Sequence, residues 1–569
     1  MSATVDSRWL VAALAQEVRD FVICAGSRSA PLTYAVADAE SAGIVRAHPF
    51  FDERAAGFFA LGLAQSTGRP VAVVTTSGTA PAHLLPAVIE AFHTHAPLIV
   101  ISADRPFEMH GVGASQTTRQ DDLFGSHVVS SLDVPAGLGI SPSARSISED
   151  VAAKSLVGRV RRLLSSTLGV RDVGLRSGGV RGVGGPAHIN MALRDPLVPQ
   201  PGEPSVADLD VGTWGTAAKT SLIEDAPEWE DIVEPLRTVI VAGDKAGIIA
   251  SELAVAANVP LLAEPSSGAF GMPGWMPHQQ QMLTHYGDEI EQVIVLGHPS
   301  LSRPVTRLLA RGDVRVVVCS DQRDYTDVFG NADVVVSAIK PATKPMGQET
   351  WTQEWLQRSA QISNQISSRN LPDGARAAHA VWSAYAQNPS HALILGASNP
   401  IRFVDLVASE PVSSTEMRPG LVHAARGQAG IDGTIATARG IATGLDMPVR
   451  VLVGDLTFMH DLNSLINRTG EQTPNLDVVV IDDSGGRIFQ SLEHGEADGE
   501  LYERFFAIGQ DLDYRALAVA AGWEYVGVDC QETEAEAVLE EALATPPSGR
   551  IIHVRAYHEN VRDEIRALF

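Results

Sequence analysis

Cysteine is scarce in this sequence: among 569 residues only Cys24, Cys319 and Cys530 occur. Their spacings fit neither a disulfide framework nor a zinc site, so we expect buried free thiols. Long apolar runs are lacking as well, and none approaches the roughly 20 residues that a membrane-spanning helix needs. The stretch 9–19 has the pattern of an amphipathic helix and not of a signal peptide. We therefore expect a cytoplasmic protein with no membrane span.

Basic residues are outnumbered, because 43 Lys and Arg stand against 68 Asp and Glu, which gives a net charge of −25. Nucleic acids and anionic membranes bind basic surfaces, so this balance argues against both as partners. Any anion that the chain binds must be met by local groups of basic residues. The Gly/Arg/Ser-rich stretch 170–185 is too short and isolated to form a nucleic-acid-binding arm, and we interpret it as a mobile loop.

Short β-branched runs are abundant, and each ends in Gly, Ser, Asp or Thr before a helix-like segment. Buried parallel strands have this pattern, because helices on both faces of a sheet remove the alternation of apolar and polar residues. Interleaved strands and helices predict an α/β fold with mainly parallel sheets. The runs are VAVVTTSGT (71–79), PLIVISADR (97–105), TVIVAGD (238–244), QVIVLGH (292–298), ALILGAS (392–398), VRVLVGD (449–455) and LDVVVIDDSGG (476–486).

The chain is too long for one core, since domains have roughly 100–200 residues each. Composition changes at 196–210, which is rich in Pro and acidic residues, and again at 340–349, ahead of a predicted helix. We predict three Rossmann-like domains, 1–200, 201–345 and 346–569. In open parallel sheets ligands bind beyond the carboxyl ends of the strands, so functional residues are expected in the loops that follow them.

Two aspartates lie at the ends of the predicted strands in the last two of these runs. Asp455 follows VRVLVG, and Asp483 follows DVVVI and Asp482. Two carboxylates at neighbouring strand ends can hold a hard divalent cation against a diphosphate, and Mg²⁺ takes only one or two carboxylates in such sites. The carbonyl of Gly485 is a candidate third ligand. Asp also commonly caps helices and forms turns after strands, and these residues alone leave that alternative open.

The pair GDLTFMHDLN and DDSGG resembles the GDG…NN diphosphate-binding motif of thiamin-diphosphate enzymes. It departs from that motif at Leu456, where Gly is frequent, and at Asp482-Asp483, where Asn-Asn is usual. The resemblance implies thiamin diphosphate bound with Mg²⁺ or Mn²⁺ by Asp455, Leu456, Asp483 and Gly485. It also implies a thiamin-diphosphate-binding fold, with the pyrimidine ring on the N-terminal domain and the diphosphate on the C-terminal domain.

Thiamin enzymes place a carboxylic acid beside the aminopyrimidine ring of the cofactor. The stretch FFDERAAGFFALGLAQ (50–65) offers Glu53 at the start of a predicted helix, and the resemblance implies that Glu53 activates the cofactor. A first-turn acid that complements the helix dipole is the alternative. The following stretch, 76–91, resembles the family's Gly-Thr helix start at the subunit interface. Further cofactor contacts implied by the resemblance are Ser77, Gly78, Thr79 and the apolar Ile431 in GIDG.

Four segments resemble one family within these enzymes, the 2-succinyl-5-enolpyruvyl-6-hydroxy-3-cyclohexene-1-carboxylate (SEPHCHC) synthases of menaquinone biosynthesis. They are CAGSRSAPLTYA (24–35), ISADRPFEMHGVGASQTTRQ (101–120), GASNPIRFVDL (396–406) and AARGQAGIDGTIATARG (424–440). The substrates of that family, 2-oxoglutarate and isochorismate, are dicarboxylates, and arginine suits planar carboxylate recognition. Arginines at loop or strand-end positions could form such a pocket, although each alone could be a surface ion pair: Arg28, Arg105, Arg303, Arg402 and Arg426.

The resemblance also assigns these residues to the two substrates. The part derived from 2-oxoglutarate would contact Ser398, Arg402 and Arg426. Isochorismate would face Ser27, Arg28, Arg105, Gln116 and Arg303, and at Arg303 some family members have Lys.

The expected activity is that of a transferase, which decarboxylates 2-oxoglutarate and adds the remaining carbon unit to isochorismate. The resemblance implies a homodimer or homotetramer with active sites between subunits. Another thiamin-dependent carboligase, such as an acetohydroxyacid synthase, is the nearest alternative, although it would not need so many arginines. A non-catalytic nucleotide-binding protein has little support, because no GxGxxG motif opens a βαβ unit.

Overall fold

The computed structural model describes residues 2–169, 184–213, 226–322, 325–345, 347, 349–367, 371–413, 421–467, 474–496, 498–558 and 561–569. Most of the loop predicted at 170–185, from 170 to 183, lies outside the described residues. The chain groups into two compact units. Unit 1 comprises Met1–Lys219 and Asp432–Asp446, and unit 2 comprises Thr220–Ile431 and Met447–Phe569.

The described strands form three sheets, and all strand pairs within them are parallel. The strands of the first sheet are β1 (Asp20–Cys24), β2 (Arg46–Phe50), β3 (Val71–Thr75), β4 (Leu98–Asp104), β5 (Ser130–Val134) and β6 (Ala187–Ala192). Those of the second are β7 (Thr238–Ala242), β8 (Leu261–Ala263), β9 (Gln292–Leu296), β10 (Arg315–Cys319) and β11 (Val334–Val336). Those of the third are β12 (Ala392–Leu395), β13 (Val422–His423), β14 (Val449–Gly454), β15 (Leu476–Asp482), β16 (Glu524–Asp529) and β17 (Arg550–Arg555).

The order of strands is β2-β1-β3-β4-β6-β5 in the first sheet, β11-β10-β9-β7-β8 in the second and β13-β12-β14-β15-β17-β16 in the third. Parallel neighbours require crossover connections, and helices supply them here. Each of the seven β-branched runs contains a strand, so the predicted α/β fold is confirmed.

α-Helices follow most of the described strands. From the N-terminus they are α1 (Ala3–Leu14), α2 (Ala30–Ser41), α3 (Glu53–Thr67), α4 (Leu85–His93), α5 (Val151–Thr167), α6 (Trp229–Ile232), α7 (Ile249–Ala257), α8 (Gln279–Tyr286) and α9 (Arg303–Leu309). They continue with α10 (Glu349–Ser367), α11 (Asp373–Gln387), α12 (Asn399–Val407), α13 (Thr434–Leu445), α14 (Asp455–His460), α15 (Gly499–Tyr502), α16 (Tyr514–Ala521), α17 (Ala535–Ala544) and α18 (Val561–Arg566).

Both faces of the central strands of the first sheet are buried, as the β-branched runs predicted, whereas the edge strands β2 and β5 are partly exposed. Phe21 and Ile23 of β1 pack into one hydrophobic cluster with α1, α2 and α5, whereas Val22 and Cys24 pack into another with α3 and α4. Successive strand residues point to opposite faces, so a strand with helices on both sides must be apolar at every position.

Within unit 1, α13 packs very closely against α3. A Cβ added to Gly62 would lie 2.1 Å from the carbonyl oxygen of Thr437, and one added to Gly440 would lie 2.0 Å from that of Phe59. Only glycine permits this approach of the two backbones. The contact explains why a segment from late in the sequence belongs to unit 1.

Two sequence predictions need correction. The N-terminal helix begins earlier than predicted and ends at Leu14, and it is buried all round apart from the partly exposed Arg8, because it packs against α2 and α5. The cysteines are free, as expected, but only Cys24 is buried, since Cys319 and Cys530 are partly exposed.

None of the described helices is long and apolar enough to cross a membrane. The predicted division into three domains at about residues 200 and 345 stays a prediction.

Candidate functional site

Two buried aspartates meet at neighbouring strand ends of the third sheet. β14 and β15 are adjacent, with Gly454 opposite Ile481, so the residues that follow them emerge side by side. Asp455 opens α14 and is 3% exposed, and Asp483 follows β15 and is 9% exposed. Asp482, between Ile481 and Asp483, is partly buried. We call Asp455, Asp482 and Asp483 the acidic cluster.

The acidic cluster concentrates like charge in a buried place. Burial, and then the nearby Asp482, raise the pKa of Asp455 to about 7. Burial and the neighbouring Asp455 raise the pKa of Asp483 well above its usual value. Adjacent carboxylates that are removed from water repel one another, and a divalent cation removes that repulsion. The residues present therefore fit a metal ion.

Backbone groups orient the Asp455 carboxylate. The N–H of Leu456 donates to Oδ1 at 2.7 Å, and the N–H of Gly485 donates to Oδ2 at 2.6 Å. Gly485 has a φ of +113°, and a Cβ there would lie 2.1 Å from the carbonyl oxygen of Ala507. This turn requires glycine and ties the end of β15 to Asp455.

The predicted metal ligands are the carboxylates of Asp455 and Asp483 and the carbonyl of Gly485. The Gly485 carbonyl accepts the N–H of Arg487 at 2.8 Å and keeps a second lone pair. In the described part of the chain, no group of three or more His, Cys, Asp or Glu side chains is placed to hold a metal. A bound ion would thus depend on few protein ligands together with phosphate oxygens, as Mg²⁺ commonly does.

Sequence reasoning missed two residues beside the acidic cluster. Nε of Arg487 donates to the carbonyl of Asp483 at 3.0 Å, and its guanidinium pairs with Glu503 at 2.6 Å. His553 contacts Asp482 through Nε2 at 2.8 Å. Arg487 stands directly after the DDSGG motif and could have been found there, whereas His553 on β17 has no local signal.

In unit 1, Glu53 is the first residue of α3 and is partly buried. The capping of this helix is done by Asp52, whose side chain accepts the N–H groups of Arg54 and Ala55 at 3.0 and 3.4 Å. Burial raises the pKa of the Cys24 thiol, and the carboxylates of Glu53 and Asp52 add to that effect. Glu53 therefore lies near the carboxyl end of β1, free of the capping role.

The turn after β3 contains three of the predicted cofactor contacts. Ser77 Oγ donates to the carbonyl of Gln116 at 3.0 Å, and Gln116 Nε2 donates to the carbonyl of Ser77 at 2.9 Å. The N–H of Gly78 donates to Oε1 of the buried Gln120 at 3.0 Å, while Thr79 is exposed. The structure thus brings Ser77, Gly78 and Gln116 together. Gln120, which sequence reasoning did not single out, holds the turn.

Two arginines predicted to bind isochorismate lie together in unit 1. Arg28 is 5% exposed, and its Nη1 donates to the carbonyl of Leu193 at 2.7 Å. Burial and the nearby Arg105 lower its pKa. The Nε atoms of Arg28 and Arg105 are buried without a hydrogen-bond partner among the described residues. A planar anion would satisfy such donors. Ser27, beside Arg28, is exposed.

Three further arginines lie together in unit 2, and we call Arg303, Arg402 and Arg426 the arginine cluster. Burial, and then Arg426 and Arg303, lower the pKa of Arg402. Nη1 of Arg402 donates to the carbonyl of Ser398 at 3.0 Å, and Ser398 has a left-handed φ of +84°. Arg303 is exposed at the first turn of α9, where the helix dipole disfavours a cation.

Arg426 is the most deeply placed member of the arginine cluster. It is 4% exposed, and its Nη2 donates to Ser300 Oγ at 2.8 Å. Its Nε and Nη1 are buried with no hydrogen-bond partner in the described ranges of the chain. Buried guanidinium donors without a partner suit a carboxylate, which accepts charge-assisted hydrogen bonds.

Buried acids surround the arginine cluster, and sequence reasoning missed them. Burial raises the pKa of Glu264 to about 8, against the opposing effects of hydrogen bonding to Leu301 and of Arg426. Burial raises the pKa of Asp405 to about 6, and Gln279 and Gln280 donate to its two oxygens. Glu264 directly follows β8, and that position at a strand end was the signal available.

The predicted site residues thus fall into two groups. Unit 1 holds Glu53, Ser77, Gly78, Thr79, Ser27, Arg28, Arg105 and Gln116. Unit 2 holds Arg303, Ser398, Arg402, Arg426, Ile431, Asp455, Leu456, Asp483 and Gly485. Ile431 is partly buried in the loop ahead of α13, and its contact with the cofactor stays a prediction.

Comparison with known proteins finds relatives of this chain. The family described as "Thiamine pyrophosphate enzyme, N-terminal TPP binding domain" matches residues 7–124, and "Thiamine pyrophosphate enzyme, C-terminal TPP binding domain" matches residues 413–553. Similar full-length proteins are named 2-succinyl-5-enolpyruvyl-6-hydroxy-3-cyclohexene-1-carboxylate synthase. That of Paenarthrobacter aurescens (strain TC1) is 39% identical, over 97% of this chain and 94% of its own length. Those of Kineococcus radiotolerans and Mycolicibacterium smegmatis are 40% and 36% identical, over 97% and 96% of this chain and 95% of each relative.

Proposed function

Because the chain belongs to the SEPHCHC synthase family of thiamin-diphosphate-dependent enzymes, we propose that it decarboxylates 2-oxoglutarate and joins the remaining four-carbon unit to isochorismate. The product is the SEPHCHC of menaquinone biosynthesis. The observation that carries this proposal is the arginine cluster, where Arg426 has two buried donors that no described residue satisfies.

Thiamin diphosphate, when bound, supplies the electron sink that lets a 2-oxo acid lose carbon dioxide and form a new carbon–carbon bond. The acidic cluster would hold its diphosphate through Mg²⁺ or Mn²⁺, with Asp455, Asp483 and the carbonyl of Gly485 as protein ligands. The hydrogen bonds from Leu456 and Gly485 to Asp455 support this assignment, because they fix the carboxylate before the ion arrives.

Glu53 would share a proton with the aminopyrimidine ring. Its position at the start of α3 supports the role, since Asp52 already caps the helix and leaves the Glu53 carboxyl available. Ser77, Gly78 and Thr79 would contact the cofactor from the turn after β3, and Ile431 would pack against it.

The arginines would be divided between the two substrates. Arg402, Arg426 and Ser398 would hold the carboxylates of 2-oxoglutarate, and Arg28, Arg105, Ser27, Gln116 and Arg303 would face isochorismate. Arg28, Arg105 and Arg426 support this division, because each has a buried donor that no described residue satisfies and that a carboxylate could accept.

A homodimer or homotetramer with active sites between subunits, and a cytoplasmic location, complete the proposal. Sedimentation analysis of the purified chain tests the assembly, and a monomer that retains full activity would contradict it.

The test of the proposed function is an assay that contains 2-oxoglutarate, isochorismate, thiamin diphosphate and Mg²⁺. We expect carbon dioxide release and product formation that stop when any one component is omitted. Turnover of pyruvate in place of 2-oxoglutarate would contradict the substrate assignment and favour an acetohydroxyacid synthase.

A further inference from the structure

Glu264 links two strand ends of the second sheet. It directly follows β8, and its side chain is 1% exposed. Its Oε1 accepts the N–H of Ser300 at 2.9 Å and the N–H of Leu301 at 2.7 Å. Both donors lie in the turn after β9, and β7 separates β8 from β9 in the sheet. One carboxyl oxygen therefore spans β7 and holds the far part of this turn.

The near part of the same turn is held by two backbone hydrogen bonds and by the His298 side chain, whose Nδ1 contacts Thr326 Oγ1 at 2.7 Å. The N–H of Asp244 donates to the carbonyl of His298 at 3.1 Å, and the N–H of His298 donates to the carbonyl of Asp244 at 2.9 Å. The residues that reach the arginine cluster come after this pair. Their position depends on Glu264, since its side chain takes both of their N–H groups.

Ser300 carries the connection onward to Arg426. Its hydroxyl accepts from Nη2 of Arg426 at 2.8 Å, which leaves Nε and Nη1 of that guanidinium for other partners. Arg426 is also near the Glu264 carboxyl, since its charge acts on that group. A long side chain with several rotatable bonds loses less entropy on binding a ligand when one of its nitrogens is already fixed.

We propose that Glu264 is a positioning residue for the dicarboxylate substrate: through the turn at Ser300 and Leu301 it sets the direction in which Arg426 presents its free nitrogens. The inference rests on the proposed function, in which Arg426 binds a carboxylate of 2-oxoglutarate. It gives the part of the chain between residues 238 and 319 a role in substrate recognition, although Glu264 itself touches no reacting atom.

Three variants test the connection, with one matched control. Ser300→Ala removes the hydroxyl that holds Arg426, and Glu264→Ala removes the acceptor of both N–H groups. Glu264→Gln keeps an oxygen at Oε1 and should restore the turn. Ser251→Ala is the control, because its hydroxyl is buried in the same unit and donates to the carbonyl of Pro273 at 2.7 Å, away from the arginine cluster.

Steady-state kinetics with both substrates give the readout. We expect Ser300→Ala and Glu264→Ala to raise the KM for 2-oxoglutarate about tenfold, as expected for one hydrogen bond to a charged group. The KM for isochorismate should change less than about twofold, and Glu264→Gln and Ser251→Ala should resemble the wild type. A purely structural role would move both KM values together or neither.

These measurements separate a failure of the proposed function from a failure of the positioning role of Glu264. If the wild-type enzyme does not consume 2-oxoglutarate with isochorismate, the proposed function is wrong. If it does, and Ser300→Ala leaves the KM for 2-oxoglutarate unchanged, the positioning role is overturned. Should Glu264→Ala fail to fold, Ser300→Ala still tests the link to Arg426, and Glu264→Gln tests Glu264 itself: because it keeps the acceptor oxygen, a tenfold rise in its KM for 2-oxoglutarate would overturn the positioning role.

Discussion

The acidic cluster and the arginine cluster of unit 2 both lie at the carboxyl ends of parallel strands and carry opposite charges. They differ in the groups that the protein places around those charges. Burial raises the pKa of Asp455 and of Asp483 at the ends of β14 and β15, and Asp482 adds to this effect at Asp455 as Asp455 does at Asp483. The Arg487 side chain there donates to the carbonyl of Asp483. Around Arg402 and Arg426, the protein supplies the opposing buried acids Glu264 and Asp405.

This difference indicates how much each cluster depends on its ligand. Near neutral pH the arginine cluster is opposed by Asp405, whereas Glu264, with its pKa raised to about 8, keeps its proton, so the cluster retains positive charge for a bound dicarboxylate. In the acidic cluster Arg487 and His553 lower the pKa of Asp483 and Asp482, but the pKa values of Asp455 and Asp483 stay raised, so the cluster still calls for an added cation. We therefore expect ligand removal to affect the acidic cluster more strongly.

Removal of Asp455 from the acidic cluster should cause the largest loss of activity. Asp455→Ala deletes a metal ligand together with the acceptor of two N–H groups, so we expect activity to fall by at least about 10³-fold. The measurement is the rate of product formation at saturating substrates. Asp313→Ala, which removes an exposed carboxylate paired with Arg311, is the control and should keep full activity.

Glu53 lies outside both clusters, and its substitution separates chemistry from binding. Glu53→Gln should reduce kcat by about 10²–10⁴-fold, as is typical when a general acid–base group is removed, while cofactor affinity is retained. Asp52→Asn keeps a capping side chain on α3 and serves as the matched control. Unchanged turnover in Glu53→Gln would contradict the assigned role.

Substitution of single arginines should change the KM for one substrate more than the KM for the other. Arg426→Ala should raise the KM for 2-oxoglutarate by about 10–100-fold, because charge-assisted hydrogen bonds contribute about 1.5–3 kcal/mol. Arg28→Ala should raise the KM for isochorismate instead. Equal effects of either variant on both substrates would contradict the division.

Neutralisation of one acid should stabilise the protein when the metal is absent. With cofactor and metal removed at pH 8, Asp483→Asn relieves buried repulsion, and we expect a rise in Tm of about 2–4 °C. The control is Asp446→Asn, since Asp446 is exposed in left-handed backbone that Asn readily adopts. A lower Tm in Asp483→Asn would show that the charge is already compensated.

The smallest expected effect is a pH dependence at the arginine cluster. The pKa of Glu264 is raised from 4.5 to about 8, so the folded protein holds this proton more tightly than the unfolded chain does. The corresponding stability is fully present below about pH 4.5 and is lost as the pH rises toward 8. Glu264→Gln lacks this titration, so its Tm relative to wild type should increase between pH 5 and pH 8. A constant difference would contradict the raised pKa.

Local sequence was sufficient for seven of the described strands and for residues at their ends. Burial on both faces leaves continuous β-branched runs, so β14 and β15 and the positions of Asp455 and Asp483 could be predicted. Glu53 could be placed at a helix start because a short extended segment precedes an apolar helical pattern.

Contacts between distant segments could not be predicted. β8 has only three residues, too few for a clear pattern, so Glu264 at its end was missed. Gln120 and Asn190 meet through a hydrogen bond of 3.2 Å across 70 residues of sequence. The inclusion of α13 in unit 1 depends on helix packing at Gly62 and Gly440, and the periodicity of either helix alone does not reveal its partner.

The change in Tm on addition of thiamin diphosphate and Mg²⁺ shows which cluster holds the cofactor, when wild type, Asp455→Ala and Arg426→Ala are compared. We expect an increase of several degrees in wild type and an equal increase in Arg426→Ala, because the arginine cluster does not hold the cofactor. We expect no increase in Asp455→Ala. An undiminished increase in Asp455→Ala, or its loss in Arg426→Ala, would contradict the assignment of the two clusters.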